Sequence, residues 1–376
     1  METIIAIFEE IPDHRIDRGK LHNLAEIVVM SLYGLLCGAT TWIDIQEICE
    51  ERVEELRKFL VLKNGVPSVC TFRRVMTAID SKYLGELLAK QAGKICPDLN
   101  GKVVAIDGKT IRASQDRVNG KEALHALNAF VTEQHTVIRQ LIGSRKESEI
   151  TMIPQLVEGI DIKGATITID AIGCQTDITQ AIIKKKADYL IGLKNNQPQA
   201  MNDVKALFDA ITQQNLSEGV ACWQEHDKGH GRVEERSVLS ADLSVYPLAS
   251  LKKFKGIKSV VRVNSVVERQ GRQSQEYRYY ISSHAINAKQ QGKTIRAHWE
   301  IENSLQYVLD VIYDEDNNRS RKDHLAANFS ALRKMCLNIL RSYKKDKKTV
   351  KSIARRALIN PSFAFDLIQK SGLVTD

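Results

Sequence analysis

Two aspartates, each at the end of an apolar run, are the residues in this sequence whose type and setting best suit chemistry. Val103-Val104-Ala105-Ile106 predicts a short buried strand, and Asp107-Gly108 follows at once. A strand over Lys102 to Asp107 would deliver a carboxylate to its C-terminal edge, where open α/β sheets place their ligands. A lone buried carboxylate is costly, so it needs a partner or a metal ion. Asp-Gly is also a common turn pair, and a plain turn is the other reading. Ala165-Thr166-Ile167-Thr168-Ile169-Asp170-Ala171 repeats the design. Two such strands side by side can hold a divalent metal between their acids. Lys194-Asn195-Asn196-Gln197-Pro198 ends a further strand, expected over Tyr189 to Leu193. Its Lys194 and Asn195 put polar groups on the same sheet edge, against the alternative of an ordinary polar loop.

The elements that would position these residues can be read from periodicity. Residues 1–95 read as helical, with Leu24, Ile27, Val28, Leu32, Leu35 and Leu36 at helical spacing. Thr71-Phe72-Arg73-Arg74 opens a helix after a turn, which fits either a DNA-reading helix-turn-helix or a plain bundle with a basic surface. His14, Arg15, Arg18, Lys20 and His22 add a basic N-terminal segment. From residue 101 the pattern changes. Leu124 to Val131 and Thr136 to Ile142 predict a hairpin, and helices over Ser148–Ile160 and Asp177–Lys186 predict crossovers on either side of the strand ending at Asp170. The fold class expected is a mixed α/β sheet.

Residues 221–285 read as a β-rich insertion preceded by the rest of the core at 101–220. Gly229-His230-Gly231-Arg232 opens one of its strands; a Gly-x-Gly before a strand argues against a dinucleotide fingerprint. Arg232, Arg236, Arg262, Arg269, Arg272 and Arg278 make either a DNA-contacting surface or a solvated sheet face. Residues 286–376 begin with one helix over Ile295 to Tyr313, with Trp299, Leu305, Val308, Leu309 and Ile312 as its core stripe. Glu302 lies on it among several acids, and spacing alone does not select it.

Composition bounds the class. The chain of 376 residues is 43% hydrophobic, enough for a large core. Seven scattered cysteines without CxxC spacing argue against a disulfide framework or zinc site. No apolar stretch is long enough for a membrane span, and Met1-Glu2-Thr3 lacks the basic start of a signal peptide, so a cytoplasmic protein is expected. The net charge of +8 is uneven: residues 319–356 carry +11. Such a surplus is the footprint of a polyanion partner, with Arg333, Lys334 and Arg341 as candidate DNA contacts.

Taken together, the motifs around Asp107 and Asp170, Gly229-His230-Gly231-Arg232, Tyr279-Tyr280-Ile281-Ser282-Ser283 and His298-Trp299-Glu300-Ile301-Glu302-Asn303 resemble, in this order, the H-repeat-associated insertion-sequence transposases. These are a branch of the DDE transposases, and the resemblance covers nearly the whole chain. It implies a ribonuclease H-like catalytic core behind a helical N-terminal domain. Asp107, Asp170 and Glu302 would be the three catalytic acids, holding two Mg²⁺ or Mn²⁺ ions. The partner would be double-stranded DNA, as element end and as target, with a homodimer assembled on it and the protein nucleoid-associated. Related transposases read Arg-Trp-x-Ile-Glu at the third acid, with a Lys seven residues on; here His298 replaces the Arg and Leu309 the Lys. The implied activity is metal-dependent strand cleavage followed by strand transfer. A nuclease of the same fold that cuts without joining, and a silent DNA-binding remnant of a transposase, are the rival readings.

Overall fold

The computed structural model describes residues 4–16, 20–144, 149–229, 232–269, 271–343 and 348–371. Arg18, His230 and Gly231 of the motifs above lie outside the described residues. Helices α1 (Ile4–Glu9), α2 (Leu24–Leu36), α3 (Trp42–Glu51), α4 (Val53–Leu56), α5 (Val69–Ala78) and α6 (Ser81–Ile95) come first. Strands β1 (Val103–Ile111), β2 (Leu124–Val131) and β3 (Thr136–Ser144) follow. Then come α7 (Glu149–Glu158), β4 (Thr166–Ile169), α8 (Thr176–Lys184), β5 (Asp188–Leu193) and α9 (Pro198–Gln213). Four long strands, β6 (Val220–Gly229), β7 (Arg232–Asp242), β8 (Ser259–Arg269) and β9 (Arg272–Ser282), precede α10 (Ala288–His298). The chain closes with α11 (Tyr307–Tyr313), α12 (Leu325–Ser342), α13 (Val350–Ile359) and α14 (Pro361–Gln369). Among the described residues no helix is long and apolar enough to cross a membrane.

The chain divides into two compact units that interleave in sequence. The first comprises residues 1–98, 108–147 and 302–376; the second comprises 99–107 and 148–301. Strand β1 therefore begins in the second unit and ends in the first.

The first unit is helical around a hairpin. Every residue of α2 is buried, as expected for a helix that is apolar on all sides. Helix α12 is also buried, from Leu325 to Leu340, and its polar residues each find a partner of some kind. Asn328 donates to the carbonyls of Met76 and Ile79 at the end of α5, at 2.8 and 2.7 Å. Asn338 accepts from the Val137 amide and donates to the Val137 carbonyl, both at 2.9 Å. It thereby satisfies backbone groups of β3 much as a further strand would. Strands β2 and β3 form the expected antiparallel hairpin.

The second unit is a sheet in the order β1-β4-β5-β9-β8-β7-β6. Pairing is parallel from β1 to β4 to β5 and antiparallel from β5 onward. The strand-rich segment thus extends the same sheet. In register across its centre stand Ile106, Ile169, Ile191 and Ile281, all buried. Helix α10 covers the antiparallel half, packing Ala288 and Ile295 against Leu190, Val238, Val261 and Val263.

Gly292 permits that packing. A Cβ there would stand 2.8 Å from the Trp223 ring and 3.0 Å from Val238. Gly292→Ala is expected to lower stability by about 1–3 kcal/mol through overpacking. Urea unfolding checks this, and a stability equal to or above that of the parent would show that Trp223 moves aside freely.

Candidate active site

Both strand acids stand at the end of the isoleucine row, within the second unit. The β1–β4 pairing reaches Ile106 opposite Ile169, and the next residue on each strand is Asp107 and Asp170. Parallel pairing places equivalent residues side by side, so the two acids are the next residues on adjacent strands. One detail departs from the sequence expectation: β1 does not end at Asp107 but runs on to Ile111. The Asp-Gly pair is strand, not turn, because Lys109 and Ile111 are buried and continue the alternation.

Asp170 does close its strand. It caps a short 3₁₀ turn over Ala171–Gly173, its Oδ1 accepting from the Ile172 amide at 3.0 Å. On β5, Gly192 allows the chains to run close here, since a Cβ would meet the Ala171 nitrogen at 3.0 Å. Asn196 and Gln197 tie the loop after β5 to this turn, donating to the carbonyls of Ala171 and Cys174 at 2.7 and 2.8 Å. The Asp170 carboxyl reaches solvent, yet the protein crowded around it raises its pKa, and Glu149 adds to the rise. The Ile172 amide and Lys194 pull the other way without reversing it. Lys194 and Asn195 are both exposed in the loop that follows β5. Lys194 is close enough to Asp170 for its charge to be felt there.

Glu302 is exposed and lies in a π-helical segment, Ile301–Gln306, between α10 and α11. Such segments are rare and occur frequently at functional sites. The buried stripe of this helical run is Ile301, Leu305, Leu309 and Tyr313. Trp299, expected in the core, is 41% exposed, and the Arg278 guanidinium stacks on it with 4.6 Å to the ring centre. His298 meets the Thr168 hydroxyl at 3.0 Å, two residues before Asp170. Burial pulls its pKa down to about 4, so the ring is neutral at pH 7 and does not replace the charge of the family's arginine. Among the described residues no group of three or more His, Cys, Asp or Glu side chains forms a metal-binding cluster.

The basic candidates require correction. Arg333 and Lys334 are each 1% exposed, inside the first unit, and cannot face a DNA backbone. They converge on Glu315, itself 0% exposed. Lys334 Nζ and Arg333 Nη1 stand 3.9 and 4.0 Å from its carboxylate, Lys109 Nζ stands 3.3 Å away, and the Ser330 hydroxyl donates to it at 2.8 Å. Arg341 donates to the carbonyls of His135 and Ser304. Arg232 begins β7, and its side chain lies outside the described residues. On the strand-rich segment, Arg236 pairs with Glu234 and Arg278 with Glu276.

Sequence reasoning missed Lys109 and Glu315. Lys109 carried a signal, since it alternates with Asp107 and Ile111 at strand spacing. Glu315 carried none, as its partners are remote in sequence.

Comparison with known proteins places this geometry. Residues 99–339 match the family described as Transposase DDE domain, and residues 5–90 match the one described as DDE_Tnp_1-associated. A relative from Escherichia coli O157:H7, named "Putative transposase YncI", is 34% identical over 98% of this chain and 95% of its own length. One from Escherichia coli strain K12, named "H repeat-associated putative transposase YhhI", is 32% identical over 96% of this chain and 97% of its own length. The chain belongs to the DDE transposase family, in the branch of the H repeat-associated proteins, with the ribonuclease H-like fold that this domain implies.

The Glu315 cluster generates a pH prediction. Burial opposes ionisation, but Lys334, Arg333 and Lys109 together hold the Glu315 pKa down to about 2. A free Glu titrates near about 4.3. A depressed carboxyl pKa contributes stability that is complete above the free value and is lost as pH falls from there toward about 2. Glu315→Gln is expected to cost about 3–5 kcal/mol at pH 7, since it strands buried cations. That deficit should shrink in acid, where the parent residue also loses its charge. Urea unfolding at both pH values tests this, and an equal deficit at each would show that the charge of Glu315 does not matter.

Proposed function

We propose that this protein is a DNA transposase that cleaves strands at the ends of an insertion sequence and joins them to target DNA. The observation that carries the reading is the placing of Asp107 and Asp170 at neighbouring positions on parallel strands, directly beyond a buried isoleucine row. The motif His298-Trp299-Glu300-Ile301-Glu302-Asn303 supports Glu302 as the third acid, by its resemblance to that of the DDE transposases. The donor set fits a hard divalent cation: carboxylate oxygens, with Asp170 in surroundings that disfavour its charge until a cation arrives.

Asp107, Asp170 and Glu302 would hold two Mg²⁺ or Mn²⁺ ions. Bound there, the ions would activate the attacking water or 3′-hydroxyl and neutralise charge on the leaving oxygen. The other residues act on the substrate. Lys194, exposed beside Asp170, would grip a phosphate of the strand to be cut, and Asn195 would donate to a neighbouring oxygen. Arg232, at the start of β7, would contact backbone further along the duplex. His298, neutral and held at Thr168, orients the helix end that leads into Glu302 and leaves phosphate binding to other groups. The protein would act as a homodimer on element ends, in the cytoplasm and with the nucleoid.

Asp107→Asn keeps the side chain's shape and removes its charge. It is expected to abolish cleavage of a labelled element-end duplex at saturating DNA. Affinity should stay intact or rise slightly, because one negative charge near the phosphates is gone. Partial rescue by Mn²⁺ is expected, since Mn²⁺ accepts mixed ligands more readily than Mg²⁺. Cleavage at the parent rate would remove Asp107 from the mechanism. Cleavage by the parent protein without joined products would favour a nuclease over a transposase.

A further inference from the structure

Lys109 follows Asp107 by two residues and so shares its side of β1. It is buried, with 8% of its side chain exposed, and three carboxylates surround its ammonium. Asp310 accepts a hydrogen bond from it, while Glu315 and Asp316 stand 3.3 and 3.6 Å away. All three lie on the chain that runs on from Glu302. Gln306, in the π segment itself, donates to the Gly108 carbonyl at 3.4 Å. Arg341 holds the Ser304 carbonyl of the same segment.

These contacts lie within the first unit and share a pattern. The strand residues immediately after Asp107 are tied to helical residues one and two turns after Glu302. A lysine recruited only to neutralise Glu315 would not need Asp310, which is 35% exposed and has access to solvent.

We propose that Lys109 is a positioning residue: its grip on Asp310, Glu315 and Asp316 fixes the helical run beginning at Glu302 and sets where that carboxylate stands. This rests on the catalytic reading of Glu302 given above. A π-helical turn deviates from regular helical hydrogen bonding, so it needs outside contacts to hold one geometry. Displacements of about 1 Å at a reacting centre cost about a hundredfold in rate.

The test uses the full chain and two readouts. The first is amide hydrogen exchange over 302–313 in the protein alone. In Lys109→Met this segment should exchange about tenfold faster, with α2 and α6 unchanged. The second is cleavage of an element-end duplex in Mg²⁺, which should fall about a hundredfold with DNA affinity unaltered. Lys109→Arg keeps the cation and should retain most of both properties. If Lys109→Met does not fold, Asp310→Asn replaces it, with the same changes at smaller size. Unaltered exchange over 302–313 overturns the proposal. So does faster exchange with cleavage at the parent rate, or loosening spread equally through α2 and α6. Failure of the catalytic reading looks different: Glu302→Gln would then cleave at the parent rate, while the exchange data still decide whether Lys109 holds the segment.

Discussion

A carboxylate cut off from solvent stays ionised only where cations converge on it, and Glu315 meets that condition with three. The imbalance has visible consequences. The acid's pKa is driven down to about 2, while burial pulls Arg333 down to about 10, and burial with repulsion from Lys109 and Arg333 pulls Lys334 down to about 8. One acid cannot fully compensate three buried cations. The remainder is met elsewhere: Lys109 by Asp310 and Asp316, and Arg333 by the Phe329 ring 4.0 Å from its guanidinium. Phe329 in turn stacks on Trp42 at 4.2 Å. The cluster therefore fixes the rotation of α12, and with it the asparagines that satisfy β3 and the end of α5. A helix buried on every side has no solvent face to set its orientation, so its polar partners do.

The sheet of the second unit is governed by a different constraint. Four isoleucines in register form a row that only this pairing produces, because a slip of one residue would turn every side chain to the opposite face. Register then decides chemistry. With Ile106 opposite Ile169, the acids that follow must be neighbours. Gly192, next on β5, contributes no side chain and lets the β4 end turn away beneath it. The same local order that stabilises the core thus concentrates negative charge at its edge.

Much of this was legible in the sequence for a physical reason. Strands β1, β4 and β5 are short β-branched or apolar runs, and such runs announce themselves locally. The hairpin β2–β3 and the long strands β7, β8 and β9 do the same through alternating or β-branched runs. Strand β1 is longer than its apolar run: Asp107-Gly108 also fits a turn pair, and the charge of Lys109 argues locally against a buried strand, whereas its side chain is satisfied by acids roughly two hundred positions away. Trp299 looked like core because it is aromatic and near helical spacing. The buried stripe runs instead through Ile301, Leu305, Leu309 and Tyr313, leaving the indole to Arg278. Register between strands remote in sequence, such as Ile106 opposite Ile169, has no local signature at all.

The charge surplus near the C-terminus shows most clearly where counting along a chain misleads. A field at the surface is made by charges that face solvent, and it decays within about 8–10 Å in physiological salt. Arg333 and Lys334 contribute little to it because Glu315 screens them inside the fold, and Arg341 spends its donors on backbone carbonyls. Among the described residues of this end, exposed cations stand on α13 and the segments flanking α12. Arg319, Lys322, Lys348, Lys351, Arg355 and Arg356 are exposed there, while Ile353, Ala354 and Ala357 bury the other side of α13. Helix α13 is amphipathic in the ordinary sense over most of its length, with cations outward and Ile353, Ala354 and Ala357 inward, although Leu358 and Ile359 at its end are exposed. Helix α12 inverts that rule, holding cations in the core because an acid awaits them. Among the described residues the positive field of this end of the chain therefore comes from α13 and the segments flanking α12, although the three candidate contacts, Arg333, Lys334 and Arg341, all lie on α12.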